Sequence, residues 1–148
     1  MDNINPDSQI QEELFILSDA LSEGKFQEVL TKARFLLPST KTRLNRASCH
    51  FMIGCALNEL GQDNECVSHL LEAVALFPPR EYALIGNTLL EIARTLLDLD
   101  LNCSALYYLE LAISNFNALS RSDSVINILE ECNKLKCILI ERQDFLII

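Results

Sequence analysis

Residues 47–80 read ASCHFMIGCALNELGQDNECVSHLLEAVALFPPR, and this stretch decides the fold. Ala47, Phe51, Gly54 and Leu57 recur at helical spacing, and so do Cys66, Leu70, Ala73 and Leu76. Gly61 stands between the two runs, where a tight turn needs a glycine-tolerant backbone. Asp63 can cap the second helix. Pro78 and Pro79 end it, or open the next at a first-turn position. The stretch is therefore two amphipathic helices folded back at Gly61.

The same reading extends in both directions. Residues 1–7 form a flexible arm, and Asp7 or Ser8 can cap a first helix with Gln11 at the capping-box position of Ser8. Its expected apolar stripe is Ile10, Leu14, Ile16-Leu17 and Leu21, and Gly24 ends it. A second helix runs from Phe26 to Leu37, with Val29, Leu30, Ala33, Leu36 and Leu37 inward and Pro38 as its stop. The third helix spans Thr40–Leu60 and includes Leu44. Downstream, residues 81–99 carry Ile85, Leu89, Ile92, Ala93 and Leu96 at helical spacing. The following turn, DLDLN, has no glycine. Asn102 can cap a sixth helix through Ala105, Leu109, Ala112, Ile113 and Phe116. Ser120, with Asp123 three residues on, can cap a seventh through Val125, Ile128, Leu129, Cys132, Leu135 and Ile138-Leu139. Seven helices with short joints and no strand pattern predict an all-α chain with antiparallel neighbours, one domain over residues 8–148.

Composition narrows the function. About half of the residues are apolar, and Gly and Pro number four each, which suits long helices and a real core. The net charge of −9 argues against nucleic acid and against an anionic membrane surface. The charge is uneven. Residues 1–24 hold six acids and no Lys or Arg. Lys25, Lys32, Arg34, Lys41, Arg43 and Arg46 then face only Glu28. This run is either a solvated helix face or a basic patch for an acidic partner segment. The start MDNINPDSQI has no basic region followed by an apolar one, and no apolar run is long enough to span a bilayer. A cytoplasmic protein is expected, with thiols at Cys49, Cys55, Cys66, Cys103, Cys132 and Cys137.

The chain also repeats itself. With Gly54 at the eighth position of a unit of roughly 34 residues, Gly61 falls at the turn, and Cys66 and Ala73 take small positions. Leu57, Leu70 and Leu76 take large ones, Pro78 the helix-ending place, and His50 stands where a large aromatic is expected. In a second unit, residues 86–119, Ala93, Ala105 and Ala112 are the small positions, Leu89, Leu96 and Leu109 the large ones, and Asp100 replaces the turn glycine. A third unit covers residues 10–43 with Gly24 at the turn. Over residues 8–143 the chain thus resembles the tetratricopeptide repeat family. The resemblance implies a right-handed α-solenoid of about three helix hairpins, with residues 121–143 as the C-terminal capping helix.

It further implies a non-enzymatic protein-interaction module that holds a partner segment in a concave groove. Carried over one at a time, the groove positions are Leu14 and Ser18, then Phe51, Cys55 and Asn58, then Leu90, Arg94 and Leu97. This lining is mostly apolar and suits an amphipathic partner segment. The family's clamp for C-terminal carboxylates is not expected, because Leu14, Ser18, Asn87 and Glu91 stand where it needs Lys, Asn and Arg. Size, repeat number and acidity resemble the small cytosolic chaperones of bacterial type III secretion, which hold a needle or translocator subunit and are poorly behaved or homodimeric alone. A scaffold subunit of a larger complex, or a fragment of a longer solenoid, is the alternative.

Chemistry finds little footing. Cys66 and His69 are spaced like two metal ligands, with Cys49-His50 nearby in sequence, but a structural zinc needs four convergent ligands and only two histidines exist. Cys66 is also a small core position. A Cys–His nucleophilic pair lacks an orienting group, and no Gly-rich phosphate loop is present. Neither metal nor cofactor is expected. Glu130-Glu131 and Asp98/Asp100 read as solvated positions. The apolar end Phe145–Ile148 either packs on the last helices, or meets a partner or second copy, or marks a cut from a longer chain.

Overall fold

The computed structural model describes residues 6–146, with side chains from 7 to 142, and all the regular structure among them is helical. Residues 1–5, the last two residues and the side chains of Phe145 and Leu146 lie outside the described part. Of the arm expected over residues 1–7, Pro6 and Asp7 belong to the first turn of the first helix, which therefore starts before the expected caps Asp7 and Ser8. The helices are α1 (Pro6–Ser22), α2 (Phe26–Leu36), α3 (Arg43–Glu59), α4 (Asp63–Leu76), α5 (Tyr82–Asp98), α6 (Asn102–Asn117) and α7 (Asp123–Leu146), with a 3-10 turn at Leu37–Ser39. They form two compact units, one running to Pro78 and one from Pro79 onward. The sequence reading draws one domain over the same helices.

Three helix junctions share one construction. After α1, Gly24 N–H donates to Leu21 O (3.1 Å) and Lys25 N–H to Ala20 O (3.0 Å). After α3, Gly61 N–H donates to Asn58 O (3.0 Å) and Gln62 N–H to Leu57 O (2.9 Å). After α5, Asp100 N–H donates to Leu97 O (3.0 Å) and Leu101 N–H to Leu96 O (2.9 Å). This is the Schellman pairing, which satisfies the last carbonyls of a helix and needs a left-handed residue at its centre. Gly24, Gly61 and Asp100 have φ of +80°, +79° and +59°, and Asp100 is the non-glycine residue with positive φ.

The junction also explains why two expected caps are displaced. Lys25, Gln62 and Leu101 close the first helix and open the second, since their carbonyls accept from Val29, Cys66 and Ala105 N–H. Asp63 and Asn102 therefore sit inside their helices, one residue past the capping place. Asp63 still favours the helix N-terminus by charge. At α3 the expected start at Thr40 moves to Arg43. Thr40 is extended and donates its hydroxyl to Leu37 O (2.7 Å), and Thr42 caps the helix by accepting from Asn45 N–H (3.2 Å). At α7 the cap is Ser122 rather than Ser120, accepting from Val125 N–H at 3.3 Å.

In the first unit α1 packs on α2 and α3, α2 on α3, and α3 on α4. Gly54 lies against Leu70 so closely that a Cβ there would come within 2.6 Å of Leu70 Cδ2. Cys66 and Ala73 are fully buried. Arg43 ties the far end of this pair by donating to Ala75 O (3.0 Å), a carbonyl in the last turn of α4. In the second unit α5 packs on α6 and α6 on α7. Ala93, Ala105 and Ala112 are fully buried, matching the small positions of the first unit. Here the close approach is at Gly86, where a Cβ would meet Phe116 Cε1 at 2.7 Å. Phe77 and Phe116 hold the same place at the ends of the two hairpins, and both are buried.

Two expected inward positions are corrected. Ile16 and Ile138 are exposed, while their neighbours Leu17 and Leu139 are buried. Adjacent residues on a helix point about 100° apart, so a helix covered along a narrow strip buries only one of the pair.

Candidate partner-binding surfaces

Helix α3 holds Phe51, Cys55 and Asn58 at intervals of four and three residues, one stripe along its surface. All three are half-buried, beside fully buried Ile53, Ala56 and Leu57. Asn58 is fixed at the turn, where its Nδ2 donates to Asp63 Oδ1 (3.3 Å). The stripe is a ring, a thiol and an amide, which presents apolar area with one polar end.

The other expected groove residues divide. Ser18 on α1 is exposed, and Leu14 is not open: it is 6% exposed, in the inward line with Ile10 and Leu17. On α5, Leu90 is 3% exposed, because Leu89, Ile92, Ala93 and Leu96 are buried as well and more than a narrow strip of this helix is covered. Leu97 is half-buried. Arg94 is exposed and paired, with Nη1 3.0 Å from Glu91 and Nη2 3.4 Å from Glu131 of α7. Leu14 and Leu90 thus serve packing in this form.

Three of the six bases in the run from Lys25 to Arg46 are held in exposed ion pairs. Lys25 meets Glu23 at 2.8 Å, Lys32 meets Glu28 at 2.8 Å, and Arg34 meets Glu65 at 3.7 Å. Exposed pairs of this kind are worth little, but they lower the net field of the face.

Two features have no forerunner in the sequence reading. The first is an imidazole pair across the α3–α4 hairpin: His50 Nδ1 and His69 Nδ1 are 2.9 Å apart, with ring centroids 5.2 Å apart and planes tilted by 32°. One ring donates and the other accepts, and which does which depends on the tautomers. Burial lowers the pKa of each. For His50 the neighbouring His69 lowers it further, and for His69 the carboxylate of Glu65 pulls the other way. The signal available in sequence was register, since the fourth and twenty-third places of the repeat face each other across a hairpin. Cys66, which the sequence set beside His69 as a metal-ligand candidate, is a fully buried core residue. Among the described residues no group of three or more His, Cys, Asp or Glu is placed to hold a metal ion. Burial also pushes the Cys49 thiol up to about 11, far from a reactive thiolate at neutral pH.

The second feature is an apolar face on α1 and α2. Phe15, Ile16 and Phe35 are 72%, 60% and 81% exposed. The available signal was the triplets Phe15-Ile16-Leu17 and Phe35-Leu36-Leu37, since a helix with one buried strip cannot cover three consecutive apolar residues.

None of the described helices is long and apolar enough to cross a membrane. No protein-family model matches the chain, and no curated protein matches it.

Proposed function

We propose that the chain is a non-enzymatic protein-interaction module of tetratricopeptide type, a right-handed α-solenoid of three hairpins closed by α7. The observation that carries this reading is the threefold recurrence of one junction, at Gly24, Gly61 and Asp100, with the same hydrogen bonds each time. A repeated junction between paired helices is how a solenoid propagates. Its spacing is somewhat longer than the basic period of roughly 34 residues, which lengthens the helices without changing the turn.

In this reading the binding surface of the first unit is Phe51, Cys55 and Asn58 on α3 with Ser18 on α1, and Arg94 and Leu97 on α5 are the candidate positions of the second unit. An amphipathic helix or extended apolar segment of a partner protein is the occupant that such a surface suits. Acidity, size and repeat number favour a cytoplasmic chaperone of the type III secretion class, guarding an aggregation-prone export subunit. The longer repeat spacing favours the second reading, a scaffold subunit of a larger assembly.

The test is affinity capture from the native host with the parent chain and Phe51→Glu side by side. A chaperone brings down one small protein at one-to-one stoichiometry, and a scaffold brings down a large complex. Phe51→Glu abolishes either capture while leaving helical content and melting temperature near those of the parent. Undiminished capture by the variant would place the binding site elsewhere.

A further inference from the structure

His50 on α3 and His69 on α4 meet Nδ1 to Nδ1 at 2.9 Å, with ring centroids 5.2 Å apart. The centroid separation equals the nitrogen separation plus two ring radii, so the rings point straight at one another. A tetrahedral zinc ion with Zn–N bonds of about 2.0–2.1 Å sets two imidazole centroids about 5.2 Å apart and their nitrogens about 3.3–3.4 Å apart. The centroids therefore already stand where zinc requires them. Only the rings have to turn, each swinging its Nδ1 off the shared line by roughly 35°. The last torsion of a histidine is broad, so the turn strains little, and α3 and α4 keep their places.

The surroundings suit a cation. Zinc takes neutral imidazole, and burial disfavours the protonated form of both rings. His69 is half-buried, which leaves an approach from solvent. Glu72 acts on both rings and Glu65 on His69, each favouring positive charge there, and they oppose Arg46 and Arg34. Glu65 is shared with Arg34 at 3.7 Å. Glu72 lies one turn past His69 on the same side of α4, is exposed, and among the described residues no ion pair engages it. Three ligands do not yet converge, so Glu72 has to turn inward to become the third. Cys49 and Cys66 are fully buried in the core and take no part.

We propose that His50, His69 and Glu72 form a zinc site that staples α3 to α4, with water as the fourth ligand. Zinc replaces the hydrogen bond between the rings. The ring that donates in that bond gives its Nδ1 proton to water and takes one from water at Nε2. Both Nδ1 lone pairs then face the ion, and no net proton is released. Glu72 remains a carboxylate throughout and offsets half of the ion's charge. The site lies wholly within the first unit, and the inference does not rest on what the groove holds.

Calorimetric titration of Zn2+ into the untagged full chain carrying Cys103→Ser and Cys137→Ser tests it. Those two substitutions remove exposed thiols that would bind zinc themselves. One ion binds per chain, and the melting temperature rises with zinc, as binding to the folded form alone requires. His69→Gln removes both the binding and the rise, and because His69 is half-buried the variant keeps the parent's circular dichroism. His50→Leu does the same. Glu72→Gln weakens binding by about tenfold or more. Cobalt in place of zinc gives the intense visible absorption of a tetrahedral centre and loses it in His69→Gln. A chain that binds no zinc, or binds it equally well with either histidine replaced, would overturn the proposal. Undiminished affinity in Glu72→Gln would overturn the carboxylate's part, and a weak cobalt spectrum would overturn the tetrahedral geometry.

Discussion

Asp100 does at its junction what Gly24 and Gly61 do at theirs, with the same hydrogen bonds but with a side chain present. A left-handed conformation is disfavoured by roughly 1–2 kcal/mol for most L-residues, and Asp is among the few that tolerate it. Asp100→Gly should therefore stabilise the chain by about 0.5–1 kcal/mol, after allowing for the greater entropy glycine adds to the unfolded state. The converse change, Gly61→Ala, should cost about 1 kcal/mol, because nothing lies within 4 Å of a Cβ there and backbone strain is the whole effect. Urea denaturation of both variants checks the pair. A destabilised Asp100→Gly would mean that the Asp100 side chain contributes more than its backbone costs. The sequence made this position readable only through its neighbours: Leu96, Asn102 and Ala105 keep the register of Leu57, Asp63 and Cys66, and so place a turn at DLDLN without a glycine.

Among the elements, the α3–α4 hairpin carries a pH dependence. His50 and His69 share one hydrogen bond, and burial holds both pKa values below the ordinary value of about 6.5, which favours neutral rings at neutral pH. The groups around them are Arg46 on α3, Glu65 and Glu72 on α4, and Arg34 on α2. As pH falls below about 6.5 the unfolded chain takes up protons that the folded chain resists, so stability drops with acidification until the folded values are passed. The melting temperature should fall measurably between neutral pH and the onset of carboxylate protonation near pH 5. His50→Leu should flatten that slope, since it places at this register the residue that Leu89 supplies in the α5–α6 hairpin. A slope unchanged in the variant would assign the effect to other groups. Nothing local in the sequence joins these two rings. Only the close approach of α3 and α4, allowed by Gly54 against Leu70, brings them within bonding distance.

For the whole molecule, the question is how far two units with separate cores fold separately. Ala73 is fully buried in the first, and Gly86 is tight against Phe116 in the second. Overpacking at either position should cost on the order of 1–3 kcal/mol. Hydrogen exchange on Ala73→Leu should then lose protection mainly in residues 6–78, and on Gly86→Ala mainly in residues 79–146. Loss spread evenly over both units in either variant would make the chain one cooperative body. An unchanged melting temperature for Ala73→Leu would show that the repeat register is wrong at that position.

By itself the sequence determined the number of helices, their junctions and the small residues at which paired helices touch. These follow from local rules, namely helical periodicity, left-handed turn residues and proline stops, which act within a few residues of chain. The tertiary structure alone decided which apolar residues remain open. Leu14 and Leu90, expected to face a partner, are core, and Phe15, Ile16 and Phe35 are surface. It also decided that two histidines on different helices share a proton. Burial depends on how much of a helix its neighbours cover, and that coverage is set by residues distant in sequence, where local periodicity has no reach.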